Sequence, residues 1–353
     1  MNRARLGIKG LARACLALGA CLALLCSVAA ATPDAPPATV QPERSWENYF
    51  GVAILPSGRT VVVGDKGVVM VTDNQGQTWT RRQLQKGPKY YDLYSVAFTA
   101  DGSKGWLVGD SGVIFRSDDQ GTSWNEQAAP AGATGALLKI ALAGPQTACA
   151  GGEHGVIICT SDGGANWNLQ KFGDICFFDL TFTDAQNGWA VGEFQTILHT
   201  GDGGKTWKIL SGGDQMKAPD PYFAVAFGNP QDGLAVGLTG DATATSDGGK
   251  TWKPADLSIE HRSYYTVAAV PAHPDTFFAA GENGIGALIA GGQLSQLQTS
   301  TSNGITSAAF SDRFAMAVGL SGTLLLSSDG GQHWHSLNHQ DEAFEDSGAV
   351  SGQ

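Results

Sequence analysis

Residues 200–207 read TGDGGKTW, and residues 245–252 repeat them as TSDGGKTW. Relatives of this octapeptide occur as TDNQGQTW (72–79), SDDQGTSW (117–124), TSDGGANW (160–167) and SSDGGQHW (327–334). Their closing tryptophans, Trp79, Trp124, Trp167, Trp207, Trp252 and Trp334, are spaced by 45, 43, 40, 45 and 82 residues. The last interval is two periods, so a seventh, degenerate copy is expected at 291–298, where GGQLSQLQ has lost the motif. A self-similar period of about 40–45 residues is the mark of a repeat architecture.

Within one period the pattern is four short strands. The fourth unit reads CFFDLTFT (176–183), NGWAVGE (187–193), QTILHTGD (195–202) and KTWKIL (205–210). β-Branched and apolar residues fill each run, with glycine and Asx residues between them. Sustained helical periodicity is absent. Four strands per repeat and seven repeats predict an all-β fold, a seven-bladed β-propeller of four-stranded antiparallel blades over residues 44–338.

The octapeptide then falls in the hairpin between the third and fourth strands. Its carboxylate (Asp119, Asp162, Asp202, Asp247, Asp329) is expected to accept turn amides, as Asx side chains do. Asn74 stands at that position in the first copy; it can accept the same bonds but makes a poor general acid, which favours structure over catalysis. The glycine at the fifth position of every copy suits a backbone with positive φ. The tryptophan buries a large ring between strands.

Outside the repeats, residues 1–31 carry Arg3, Arg5, Lys9 and Arg13, an apolar run from Leu16 to Leu25, and Ala29-Ala30-Ala31. This reads as a cleavable secretory signal and predicts a periplasmic protein. The residues after Cys21 stay apolar, which argues against a lipoprotein site there. Residues 32–43 read as a proline-rich linker and 339–353 as a polar, acidic tail with nothing to bury. The sequence has 22 basic and 33 acidic residues. Without the four basic residues of the signal the balance is 18 against 33. So acidic a chain is a poor match for nucleic acid or anionic lipid.

Cys149, Cys159 and Cys176 follow the signal. Cys149 and Cys159 flank the EHG turn symmetrically and should face each other on adjacent strands, where a bridge can form. Cys176 is the rival partner. The spacings do not make a zinc site, and neither metal nor cofactor is expected.

The octapeptide is identified as the Asp-box, or BNR repeat. The longer units NGWAVGEFQTILHTGDGGKTW (187–207) and KGWLVGDSGVIFRSDDQGTSW (104–124) closely resemble the photosystem II assembly and stability factor family, over roughly residues 46–338. The resemblance implies an exported seven-bladed propeller acting as a non-enzymatic assembly factor. Relatives in bacteria without photosynthesis are often encoded beside RND-type exporters, which implies a membrane-protein or envelope-complex client. Photosynthetic members carry an arginine cluster on one face. Here Arg44, Arg59, Arg81, Arg82, Arg116, Arg262 and Arg313 are scattered over several blades.

Function is expected on the face opposite the Asp-boxes. The second-to-third-strand turns read GDKG, GDSG, GEHG, GEFQ, GLTGD, GENG and GLSG, placing Asp65, Asp110, Glu153, Glu193 and Glu282 at one position in five blades. Aromatic residues start the blades on the same face: Tyr49-Phe50, Tyr90-Tyr91 with Tyr94, Phe177-Phe178, Tyr222-Phe223 and Tyr264-Tyr265. Of these, Tyr91, Tyr94, Phe178, Tyr222, Tyr264 and Tyr265 join the five acids as the candidate partner-binding set, suited to a basic or amphipathic segment. The competing readings are local turn chemistry for the acids and inter-blade packing for the aromatics. The alternative function is a carbohydrate-active propeller, a glycoside hydrolase or glycan-binding protein. Sialidases, however, resemble six-bladed propellers with an arginine triad, and xyloglucanases pair two propellers. No phosphate loop, Gly-x-Ser-x-Gly elbow or His-Glu-x-x-His is present.

Overall fold

The computed structural model describes residues 38–40, 46–212, 220–257 and 261–337. The expected signal segment, most of the linker and the acidic tail lie outside them. The described residues form seven antiparallel meanders of four strands, each from one continuous stretch of chain. The innermost strands are Tyr49–Ile54, Leu93–Phe98, Leu137–Leu142, Phe177–Phe182, Tyr222–Phe227, Tyr264–Val270 and Ile305–Phe310. Each touches the innermost strand of the next blade, and the seventh returns to the first. Helix among the described residues is limited to single 3-10 turns. The seven-bladed propeller is therefore the fold.

Second strands such as Gly105–Gly109 and Gly188–Gly192 are buried along their whole length, because both faces are covered by neighbouring blades. Outermost strands are short and mostly polar, as edges must be to avoid pairing with other chains. Blade 1 is the exception. Ala38–Val40, within the expected linker, pairs antiparallel with Trp79–Gln83 as a fifth strand.

The Asp-boxes act as the sequence predicts. The Asp202 Oδ1 accepts the Thr206 N–H at 2.9 Å, its Oδ2 accepts the Thr206 hydroxyl at 2.6 Å, and the Thr200 hydroxyl donates to Oδ1 at 2.8 Å. In blade 1 the amide oxygen of Asn74 accepts the Thr78 N–H at 2.9 Å in the same way. The fifth-position glycines have φ from 75° to 88°. Gly204 also lies against Cys149 and Cys159 so closely that any Cβ would collide with both sulfurs. Trp79, Trp167, Trp207 and Trp334 are buried, whereas Trp124 and Trp252 are half-buried.

These turns make the fold sensitive to acid. Hydrogen bonds from the Asn166 and Thr251 side chains, then from their backbone N–H groups, hold Asp162 and Asp247 down at about 2 against an ordinary 3.8. A carboxylate depressed in the folded state stabilises it fully above its unfolded value and loses that contribution as pH falls towards the folded one. The melting temperature should therefore fall between about pH 4 and pH 2. Asp162→Asn combined with Asp247→Asn should flatten that fall in circular-dichroism melts. Parallel curves for variant and wild type would show that the acid transition lies elsewhere.

Cys149 and Cys159 are paired in register and joined by a disulfide with Cα atoms 4.1 Å apart. Cys176 keeps a buried thiol, and burial pushes its pKa well up.

Candidate functional site

Each innermost strand carries a β-bulge between its first and third residues, in all seven blades. A bulge adds one residue and re-aims its side chain. The first residue of each strand (Tyr49, Leu93, Leu137, Phe177, Tyr222, Tyr264, Ile305) is buried among the blades. The second, the bulged residue, is half-exposed on the central channel: Phe50, Tyr94, Leu138, Phe178, Phe223, Tyr265 and Thr306. Ring centroids lie 5.4 Å apart for Phe50 and Tyr94, 5.2 Å for Phe178 and Phe223, and 5.9 Å for Phe223 and Tyr265. The result is an aromatic collar around a cavity of about 120 Å³.

Polar groups sit below the collar. Asp179 is buried, yet its Oδ1 accepts the Leu180 N–H at 2.8 Å and faces the Lys139 ammonium at 3.1 Å. Its Oδ2 accepts the Val225 N–H at 2.9 Å. Burial pushes the Asp179 carboxyl up, and Lys139 opposes the shift. This pair ties blades 3, 4 and 5 together inside the channel.

The five predicted acids lie on 3-10 turns beside the blade starts, and the structure gives four of them a local task. In four blades the carboxylate accepts the backbone N–H of the residue just before the innermost strand. Asp65 takes Asn48 at 2.8 Å, Glu153 takes Ala136 at 3.0 Å, Glu193 takes Cys176 at 2.8 Å and Glu282 takes Ser263 at 3.2 Å. Each acid latches its own blade start to the turn. The latch explains one gap in the ring: blade 5 offers Pro221 at the donor position, and proline has no N–H to hold. Its turn carries Leu238 instead. In blade 7 the corresponding pair is Gly304 and Leu320.

The aromatic set needs correction at two positions. Tyr222 and Tyr264 are first-position residues, 8% and 0% exposed, and the Tyr264 hydroxyl donates to the Leu257 carbonyl at 3.0 Å. Strand alternation alone cannot foresee a bulge, which shifts the channel-facing position by one residue. Phe50 and Phe223 belong to the collar in their place. Tyr94, Phe178 and Tyr265 stand in the collar, while Tyr91 packs against the core between blades 1 and 2.

The face is electrostatically negative around blade 2. Burial, and then the charges of Asp92, Asp110, Glu153 and Asp65, push the Tyr94 phenol far up. Burial also raises Asp65, opposed by its bond from Asn48 and reinforced by Asp92. Two aromatic side chains stand out from the same face: Trp46, 81% exposed ahead of blade 1, and Tyr90, 53% exposed in the hairpin before blade 2.

Six Asp-boxes, seven blades and a collared channel define an Asp-box β-propeller. Within that class, residues 46–175 match the family described as "Photosynthesis system II assembly factor YCF48". A solved structure described as "YCF48 bound to D1 peptide" is similar at 20% identity and a TM-score of 0.65, over 84% of this chain and 97% of that one. A chain of the "Mitotic Checkpoint Complex" superposes with a TM-score of 0.66 at 11% identity, over 88% of this chain and 99% of that one. The GH74 xyloglucanase from Xanthomonas campestris gives 0.65 at 13% identity, over 86% of this chain but 56% of its own. At these identities the likeness is one of fold. No protein of curated function matches the sequence.

Proposed function

We propose that this protein is a non-enzymatic, exported accessory or assembly factor that captures a segment of a membrane protein or envelope complex on its channel face. The observation that carries the reading is the aromatic collar, aimed into the channel by seven bulges and set beside a ring of acids. A rigid ring of aromatic faces next to negative charge suits an extended basic or amphipathic segment. A propeller of the same fold with a bound D1 peptide supports peptide capture as a use for it. The pattern of residues 1–31 supports a periplasmic setting, with an exporter-associated complex as the client. A glycosidase would need two opposed carboxylates; among the described residues lining the channel the one carboxylate is Asp179, held by an ammonium and two amides.

The test is in-cell cross-linking followed by mass spectrometry, with the identified client peptide then titrated against variants. Phe50→Ser with Tyr94→Ser, Phe178→Ser and Tyr265→Ser should weaken the peptide at least about tenfold, the order expected for aromatic anchors. Asp65→Asn, Asp110→Asn, Glu193→Gln and Glu282→Gln together should weaken it less and reduce its salt sensitivity, since the amides still accept the latch bonds. Charge reversal on the Asp-box face should change little. Capture abolished from the Asp-box face and indifferent to the collar would sink the reading.

A further inference from the structure

The seven blades serve as internal references for one another, and blade 6 departs from the rest. In the other blades, the Asp-box turn and its tryptophan wedge against the preceding blade. The surface they meet is a cross-strand pair on the second and third strands. That pair is Val61 and Val71 in blade 1, Trp106 and Arg116 in blade 2, and the Cys149–Cys159 disulfide in blade 3. In blade 4 it is Trp189 with His199, ring centroids 4.9 Å apart. Gly121 meets Val61, Gly204 meets the disulfide, and Gly249 meets Trp189, each from the following blade.

Between blades 5 and 6 both halves of this joint are reduced. Blade 5 presents Leu234 and Ala244, a pair much smaller than that of blade 4. Blade 6 has no Asp-box: a two-residue turn, Gly291-Gly292, joins Gly286–Ala290 to Gln293–Leu297. The vacated joint is a pocket of about 360 Å³ on the Asp-box face, floored by Leu234, Ala244, Phe277 and Ile289 and flanked by Asp232 and Asp275. Its volume lies within the range typical of ligand sites, and its apolar floor with a polar rim is the usual composition of one.

We propose that this pocket is a docking site for a tryptophan-bearing turn of a partner polypeptide, which completes the joint that blade 6 leaves open. The occupant follows from the repeat itself, because in six of seven blades the equivalent gap is filled by a glycine-rich turn ending in tryptophan. The two flanking carboxylates put negative charge on the rim, which favours a basic neighbour such as the lysine of GGKTW. The site lies on the face opposite the collar and does not rest on the capture proposed there.

The experiment uses the full chain and two synthetic probes, the blocked octapeptide TSDGGKTW and its counterpart TSDGGKTA, followed by protein-observed NMR. The tryptophan peptide should bind with a Kd on the order of 1 mM, the strength of a single anchored side chain, and perturb resonances of Leu234 and Ala244. The alanine peptide should bind at least about tenfold more weakly. Leu234→Trp with Ala244→His, which rebuilds the pair of blade 4, should abolish binding. Ala244→Leu, a milder filling that guards against misfolding of the double variant, should weaken it severalfold. The four-serine collar variant should bind the peptide as wild type does. Equal binding of the two peptides, undiminished binding by folded, filled variants, or no shift at Leu234 and Ala244 would each overturn the proposal.

Discussion

Replacing Trp207 with alanine should destabilise the propeller by roughly 3–5 kcal/mol, the cost typical of deleting a buried aromatic ring. Trp207 is 5% exposed and packs with Cys149, Cys159, Leu180 and Leu198 across the joint between blades 3 and 4. Its ring meets Phe182 edge-on at 5.9 Å, and its backbone N–H donates to the Gln170 side chain at 3.1 Å. Deletion would leave a void bounded by a disulfide and strands that are fixed on both sides, so little collapse can relieve it. Trp252, half-exposed, should cost clearly less. Urea unfolding checks both; a Trp207→Ala protein as stable as wild type would remove the Asp-box tryptophan from its structural role.

The second large effect is expected in the channel. Asp179→Ala should cost roughly 3–5 kcal/mol, because it strands the Lys139 ammonium and leaves two amide donors, Leu180 and Val225, without their acceptor. Lys139→Met should cost less. The carboxyl it leaves behind is already raised by burial and can take a proton in place of the ammonium. The sign follows from linkage: a carboxyl raised in the folded state favours folding as it protonates, so the Lys139→Met deficit should shrink as pH is lowered. Denaturant titrations at neutral and mildly acidic pH measure both. Equal losses for the two variants, or a Lys139→Met deficit independent of pH, would mean that the pair is not coupled as the geometry indicates.

The propeller was legible in the sequence because its devices are local. A turn that needs an Asx acceptor, a positive-φ glycine and a wedge aromatic writes all three within eight residues, and TSDGGKTW (245–252) shows them in full. That Cys149 and Cys159 face each other was legible for a similar reason, since a tight turn at Glu153–Gly155 fixes the register of the strands around it, while the choice between Cys159 and Cys176 as partner was not. The channel lining was not. It depends on a bulge whose position has no residue signature here: Gly51, Ser95, Lys139 and Asp179 all follow the bulged residue. The reading therefore favoured Tyr222 over Phe223. The acids were found, but their latch to a backbone N–H some 17 residues earlier is a tertiary contact, visible only once the turn and the blade start are brought together. The absent acid of blade 5 shows the same limit. Pro221 and Leu238 are unremarkable in isolation and explain each other only across the fold.

The bulges also separate what the disk must keep from what it can vary. Each bulged side chain hangs from a strand whose first residue is locked into the wall and whose hydrogen bonds resume at the third. Exchanging Phe50 or Leu138 for another residue therefore redraws the bore without asking any blade to move, whereas Thr306 also donates to the Tyr49 carbonyl at 2.6 Å across the seam between blades 7 and 1. Seven such positions, one per blade, stand apart from the load carried by the tryptophan wedges. The shape of the ring and the chemistry of its bore are then separate matters, set by different residues of the same strands.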